Sequence, residues 1–467
     1  MTAAVKRCFL PAAAALLAAL PCRAAGPAAP APDVIVIVVD CLRADHLSLY
    51  GYGRKTSPNI DAFAADAAVF RQAVAQAPTT LLSFASIFTS LEVSAHGVTD
   101  QTRALGDSAL TMAEIFRIYG YNTGAFVGGL NLNPLFGLDR GFDKYFYVGR
   151  TDASFKDTLP AALGWAAERK AKGGKFLLVA HGNDLHTPYL FPASGLYDKG
   201  FRVSEGLANL PDSEAQLFLL RGRKLTLASG GGAITLTGDD AAHLLARYDE
   251  GINYADAQIG EFLAKLRAGG LLDGAVVVIT ADHGEGLFDH DYFFHDFNVY
   301  DDTLRVPLVI KVPGAARREV AEQVRLIDLM PTLLDLAGIP PCAAAQGESL
   351  VPLLSGPGQA PGAGRAFSES SVGDKVLRAG RWKLIRTPLR TELYDLSKDP
   401  GERRDLSAAE SKTAAALNKE LSARLAADAA APPGAPLPAG GKFAAEMRRD
   451  AAWQKELYKK LSAPGAR

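Results

Sequence analysis

Residues Asp33–Asp40 read DVIVIVVD, six consecutive β-branched residues between two aspartates. β-branched side chains are stiff at χ1 and pack well on a pleated surface, so the run is a strand. It does not alternate apolar with polar, and therefore has no face to offer to water. Such a strand belongs inside a largely parallel sheet covered on both sides. Two later runs match it, Phe176-Leu-Leu-Val-Ala180 and Ala275-Val-Val-Val-Ile-Thr280. Parallel strands need crossover connections, and helical patterns lie between the runs. One is Ser57–Phe63, with Ser57 at the N-cap position and Pro58 at the first helical position. Another extends from Ala241 through Leu266. The expected fold class is α/β: a layered α/β/α domain with a mostly parallel central sheet.

In such sheets ligands bind beyond the carboxyl ends of the strands. The polar residues there are Asp40 after the first run, His181 to His186 after the second, and Asp282-His283 after the third. Divalent cations are held by carboxylates and imidazoles converging from separate elements. A lone strand-end aspartate is often only a turn cap. The segment Thr280–Gly286, TADHGEG, offers a carboxylate and an imidazole side by side, which favours a metal centre.

Beyond residue 365 the pattern changes to short alternating segments, read as a small C-terminal antiparallel subdomain over residues 365–407. Residues 408–467 form an Ala/Lys-rich helical tail interrupted by a Pro/Gly linker, expected to lie away from the chemistry. At the other end, residues 1–25 have a basic start, a short apolar run and small residues before Ala25, the pattern of a signal peptide. A periplasmic or secreted protein follows, with no transmembrane segment after leader cleavage. Two of the four cysteines fall in the leader, leaving Cys41 and Cys342, so no disulfide framework supports the fold. The net charge of −1 provides no global attraction to nucleic acid.

Several motifs occur in a telling order. They are DVIVIVVDCLRADHLSLYGYG at Asp33–Gly53, TSPNIDAFAADAAVF at Thr56–Phe70, TLLSFASIFTS at Thr80–Ser90, GYNTGAFVGG at Gly120–Gly129, GLDRGFD at Gly137–Asp143 and HTPY at His186–Tyr189. ADHGEGLFDH at Ala281–His290, LRVPLVI at Leu304–Ile310, RWKLIR at Arg381–Arg386 and ELYDLSKDPGERRDL at Glu392–Leu406 continue the series. In this order the chain closely resembles the sulfatases, within the alkaline-phosphatase-like superfamily of metallohydrolases. The resemblance implies a catalytic domain over residues 33–345. It implies a metal held by Asp40, Thr80, Asp282 and His283, and a divalent cation of zinc, manganese or calcium type, one ion or two.

Three departures bear on the chemistry. The family's nucleophile lies in Cys-x-Pro-Ser-Arg, its cysteine matured to formylglycine; here Thr80-Leu81-Leu82-Ser83-Phe84 stands in that place. Thr80 is therefore the expected nucleophile, and phosphate or phosphonate esters become better candidates than sulfate. Cys41 stands where many sulfatases carry a further metal-binding aspartate, and is read as a bystander. Gly128, Gly129 and Asn131 occupy the region where classical members place a lysine and a histidine to hold the anion. The expected substitutes are His186 and His295, steadying the anion and protonating the leaving oxygen. With Asp184 they are alternatively a second metal site. His181 and His290 read equally as hydrogen-bonded loop residues, and Arg43 and Lys311 as structural. The expected substrate is a small anionic ester or a glycan- or lipid-linked ester. A phosphoethanolamine-type transferase and a non-catalytic protein with the same cleft are the alternatives.

Overall fold

The computed structural model describes residues 31–462 except 188, 190, 210–217, 221–223, 227–232, 430–433 and 439; the leader assigned to residues 1–25 lies outside the described residues. The strands of the main sheet are β1 (Asp33–Val39), β2 (Ala68–Val74), β3 (Asn122–Gly128), β4 (Lys144–Val148), β5 (Phe176–Gly182), β6 (Ala275–Ala281), β7 (Arg305–Lys311) and β8 (Arg318–Arg325). Their spatial order is β8-β2-β7-β6-β1-β5-β3-β4. β1 is central, parallel to β6 on one side and to β5 on the other. Val34–Val39 are each at most 1% exposed. Burial of such side chains is worth about 1.5–3 kcal/mol each, an upper figure because unfolded chains are partly compact.

The sheet is parallel through β6-β1-β5-β3-β4, while β7 runs antiparallel to both β6 and β2. The reason is local. Between β6 and β7 the chain makes only the four-residue helix Asp301–Leu304. With no crossover helix to carry it over the sheet, it can return only antiparallel.

The helices that position the site are α1 (Pro58–Phe63), α2 (Thr80–Thr89), α3 (Phe155–Ala171) and α4 (Gly238–Ala268). Ser57 does precede α1, but its hydroxyl donates to Asp61 Oδ1 at 2.9 Å instead of capping the helix. The cap comes from α4: the Asp256 carboxylate accepts from the backbone N–H groups of Asn59 and Ile60 at 2.9 and 2.8 Å. The stronger anion at the helix N-terminus displaces the weaker hydroxyl.

The C-terminal strands β9 (Arg365–Glu369), β10 (Lys375–Ala379), β11 (Trp382–Arg386) and β12 (Thr391–Asp395) form an antiparallel meander. α5 (Ser411–Asp428) covers it, packing Leu417 and Leu421 against Leu377, Leu384 and Leu393. A last helix, α6, spans Lys442–Ser462. The described residues from Pro32 onward belong to one compact unit.

One junction is ionic. The fully buried Lys383 ammonium of β11 lies 2.8 Å from Asp301 Oδ1 and 2.7 Å from Glu402 Oε1, and Arg378 of β10 reaches Asp301 Oδ2 at 3.0 Å. Removing one member of a buried pair leaves an uncompensated charge. Lys383→Ala is expected to cost about 3–5 kcal/mol in urea unfolding.

Glu92 supplies a pH dependence. Burial raises its carboxyl from 4.5 to about 8, opposed by Arg325 and Arg424. The folded protein therefore binds this proton more tightly than the unfolded chain does. The associated stability is present below about pH 4.5 and is lost as pH rises through about 8. Glu92→Gln should flatten that decline in unfolding measured between pH 5 and 8, an effect on the order of 1 kcal/mol per pH unit across the window.

Candidate metal centre

The strand register assembles the site. Val39 of β1 lies opposite both Ala281 of β6 and Gly182 of β5. The residues that follow or close these strands, Asp40, Asp282-His283 and His181, therefore emerge at one edge of the sheet. Asp40 N–H donates to Gly182 O at 3.1 Å, extending the β1–β5 pairing one step into the site. Asp40, His181, Asp282 and His283 are all fully buried.

α2 starts at Thr80, and all ten of its residues are buried. Its N-terminus brings the Thr80 hydroxyl to 3.4 Å from Asp40 Oδ1 and 3.3 Å from His283 Nε2. Ser83, one turn further, donates to the Asp282 carbonyl at 2.7 Å and fixes the helix to the strand end. His283 Nδ1 lies 2.8 Å from Gly284 O. A carbonyl only accepts, so this nitrogen carries the proton, and in the neutral ring Nε2 presents its lone pair. That lone pair faces Asp40 Oδ1 and Asp282 Oδ2, each at 3.5 Å.

The charge arrangement is that of a cation site. Asp40 Oδ2, Asp282 Oδ2 and His181 Nε2 are buried and have no hydrogen-bond partner. One ligand atom from each of Asp40, His181 and Asp282 lies within 4.8 Å of the others. His181 Nδ1 is engaged with Gly128 O at 3.1 Å, which leaves Nε2 free to ligate. Burial raises the Asp40 carboxyl to about 8, reinforced by Asp282. Burial likewise lowers His181 to about 4. Buried unpaired polar groups are costly, and a divalent cation would satisfy all three at once. The residues fit the metal that the family resemblance implies. His181, which sequence reasoning left among hydrogen-bonded loop residues, joins the set; its signal was its place at the end of a fully apolar strand.

A second grouping sits alongside. One donor atom from each of Cys41, His283 and His295 also lies within 4.8 Å of the others. Cys41 has φ +58°, a left-handed conformation uncommon outside glycine, and its Sγ lies 3.6 Å from His295 Nδ1. Glu285, fully buried, lies 3.3 Å from the same nitrogen. Cys41, expected as a bystander, thus contacts a site histidine directly.

The alternative second-metal set Asp184, His186 and His295 is not gathered as ligands among the described residues. Asp184 Oδ2 accepts from Phe155 N–H at 2.9 Å, at the start of α3, which holds this carboxylate to that helix. His186 and His295 do face each other, ring centroids 5.2 Å apart. Both line a cavity of about 320 Å³ that includes Thr80, Gly129, Asn131 and Asn183. Gly129 has φ +93°, and a β-carbon there would meet the Asn183 amide at 2.6 Å, so the close approach requires glycine. His290 instead stacks on Tyr300 at 3.6 Å, outside the centre. Arg43 is buried and paired with Asp45 and Asp289, a structural role. Lys311 faces Asp66 at 3.6 Å. The tail does not lie away from the chemistry: Met447, Asp450, Trp453 and Gln454 of α6 form part of the cavity wall.

Fold and donor set together define an α/β/α protein with a carboxylate–imidazole centre at its strand ends. The sulfatase family profile matches residues 32–339, and a second profile, N-sulphoglucosamine sulphohydrolase C-terminal, matches residues 288–430. The chain belongs to the sulfatase family. Among its relatives, arylsulfatase K of Danio rerio is 35% identical over 165 residues, 32% of this chain and 31% of that protein. The match thus spans about a third of that relative's length. The Delta 4,5-hexuronate-2-O-sulfatase of Bacteroides thetaiotaomicron is 25% identical over 430 residues, 83% of this chain and 86% of the relative. The phosphonate monoester hydrolase of Agrobacterium radiobacter shares the fold, with TM-score 0.68 and 21% identity over 85% of this chain and 96% of that one. BT1596, a 2-O GAG sulfatase, gives TM-score 0.69 at 22% identity over 85% and 92%.

Two histidines test the geometry. His181→Ala should weaken metal binding by at least about 10–100-fold, the range for losing a partner of a metal site. His290→Ala should leave it unchanged. Elemental analysis after dialysis against graded chelator reads both.

Proposed function

We propose that the protein is an exported, metal-dependent hydrolase of phosphate, phosphonate or sulfate esters, with Thr80 as nucleophile. The observation that carries the reading is the position of the Thr80 hydroxyl. It stands at a helix N-terminus between Asp40 and His283, at the cavity wall, with His186 and His295 also lining the cavity. A divalent cation held by Asp40, Asp282, His283 and His181 would lower the hydroxyl's pKa and offset the negative charge of the ester; the imidazoles favour zinc or manganese. Thr80 Oγ1 attacks phosphorus or sulfur while the bond from that centre to the ester oxygen breaks. The Thr80 hydroxyl proton passes to Nε2 of His186, and His186 returns it to the departing oxygen. Its Nδ1 lies 2.6 Å from Thr187 O and so carries the proton, which keeps the ring fixed and leaves Nε2 available for the transferred one.

The second half reaction follows from the nucleophile. A threonine ester lacks the second hydroxyl through which a formylglycine hydrate can expel its anion. Water must therefore attack phosphorus or sulfur directly, restoring the threonine hydroxyl and releasing the inorganic or organic anion. The neutral His186 left once the first proton has gone is placed to deprotonate that water. Direct attack of this kind puts phosphate and phosphonate esters ahead of sulfate. Export rests on the leader pattern at residues 1–25. Among the described residues no helix is long and apolar enough to cross a membrane.

The mature protein, assayed with 4-nitrophenyl phosphate, bis(4-nitrophenyl) phosphate, 4-nitrophenyl phenylphosphonate and 4-nitrophenyl sulfate, should turn over at least one. Thr80→Ala should lower kcat on the order of 10³-fold or more, and chelation should abolish turnover reversibly. Rates that survive Thr80→Ala would remove the threonine from its role. Full metal occupancy with no ester cleaved would favour a non-catalytic protein with this cleft.

A further inference from the structure

The two family profiles end at residues 339 and 430, and α6, Lys442–Ser462, follows them. It nevertheless forms one wall of the cavity that holds Thr80. Met447, Asp450 and Gln454 recur at helical spacing and share one face, with Trp453 beside them. The helix is seated beside the centre. Gln454 Nε2 donates to Asp296 Oδ2 at 3.0 Å, adjoining His295 in sequence, and both residues are buried. Lys455 donates to Asp100 Oδ2 at 2.7 Å, and Tyr458 to Asp374. Tyr458 and Trp453 also pack against Phe294 and Phe297.

The same cavity contains acceptors with nothing to accept from. Asn183 Oδ1, Asp296 Oδ1 and Gln101 Oε1 are buried and have no hydrogen-bond partner, and all three residues line it. Asn183 is 9% exposed and Asp296 5%. Buried acceptors of this kind call for donors. Hydroxyl groups, which can donate or accept, would satisfy all three, and Trp453, which lines the same cavity, suits a ligand with an apolar face as well. A volume of about 320 Å³ stands at the low end of the ~300–1,000 Å³ typical of small-molecule sites. It has room for the ester anion and one ring.

We infer that α6 is a specificity wall: it closes the cleft to a single-ring, polyhydroxylated alcohol, whose face rests on Trp453 and whose hydroxyls donate to Gln101, Asn183 and Asp296. The inference rests on the hydrolase reading for its substrate chemistry. Asp450 and Arg449, at the exposed end of the wall, meet the substituent that points outward.

The test uses the full-length chain carrying Thr80→Ala, which holds an ester without consuming it. Hexose 6-phosphate and hexose 6-sulfate are titrated by calorimetry, with a disaccharide carrying the same ester as the bulky probe. A hexose ester should bind. Adding Trp453→Ala or Gln101→Ala should weaken it about tenfold or more, and Trp453→Ala should admit the disaccharide ester. Gln101 lies outside α6, so its variant reports on the ligand without disturbing the helix. With Thr80 intact, turnover is read separately: the Trp453 and Gln101 variants should raise KM for the hexose ester by a larger factor than KM for the 4-nitrophenyl ester. Failure of both hexose esters to bind, or equal affinity in the variants, overturns the wall. A hexose ester that binds through the wall, while neither it nor any of the nitrophenyl esters is cleaved, leaves the wall standing and overturns the hydrolase reading.

Discussion

Everything at the centre depends on the parallel pairing of β1 with β5 and β6. One register sets Val39 against both Gly182 and Ala281 and thereby brings two carboxylates and two imidazoles from three strand ends into one buried volume. Left to themselves these groups repel and lack partners, as the raised Asp40 carboxyl and the unpaired Asp282 and His181 atoms show. The apolar packing of the strands offsets that cost, because a slip of one residue would turn every side chain of β1 to the opposite face. The chemistry is thus assembled by hydrophobic burial some distance away.

This division explains what could be read in the chain. The three buried strands were legible because an unbroken β-branched run has few other places to go, and Asp40, Asp282 and His283 followed as their ends. Thr80 came from its place in a motif. His181 was not separable from a hydrogen-bonded histidine, since only the third dimension shows which ring nitrogen is left over. The Asp256 cap on α1 lies 197 residues from its partner Asn59, beyond any local pattern. α6 reads as a polar surface helix, and its seating beside the cavity rests on contacts with Asp100, Asp296 and Asp374.

The return from β6 to β7 carries the departures from regular backbone. Phe288, Asp291, Phe294 and Asp296 all have positive φ, and His295 sits between the last two. Such conformations cost of order 1–3 kcal/mol each and persist where surrounding structure enforces them. Here the enforcement is visible on both sides: Gly286 and Phe294 exchange backbone hydrogen bonds at 3.2 and 2.9 Å, and Asp296 N–H donates to Pro78 O at 3.3 Å, close to the start of α2. The loop that presents His295 is therefore tied to the helix that presents Thr80.

That loop also has a far end. It leaves the sheet at Asp282 and rejoins it just after Asp301, the carboxylate gripped by Lys383 and Arg378 of the C-terminal strands. The small antiparallel sheet is consequently the far abutment of a bridge whose near abutment is the candidate metal centre. The C-terminal sheet therefore braces the candidate centre from its far side, although none of its described residues lines the cavity.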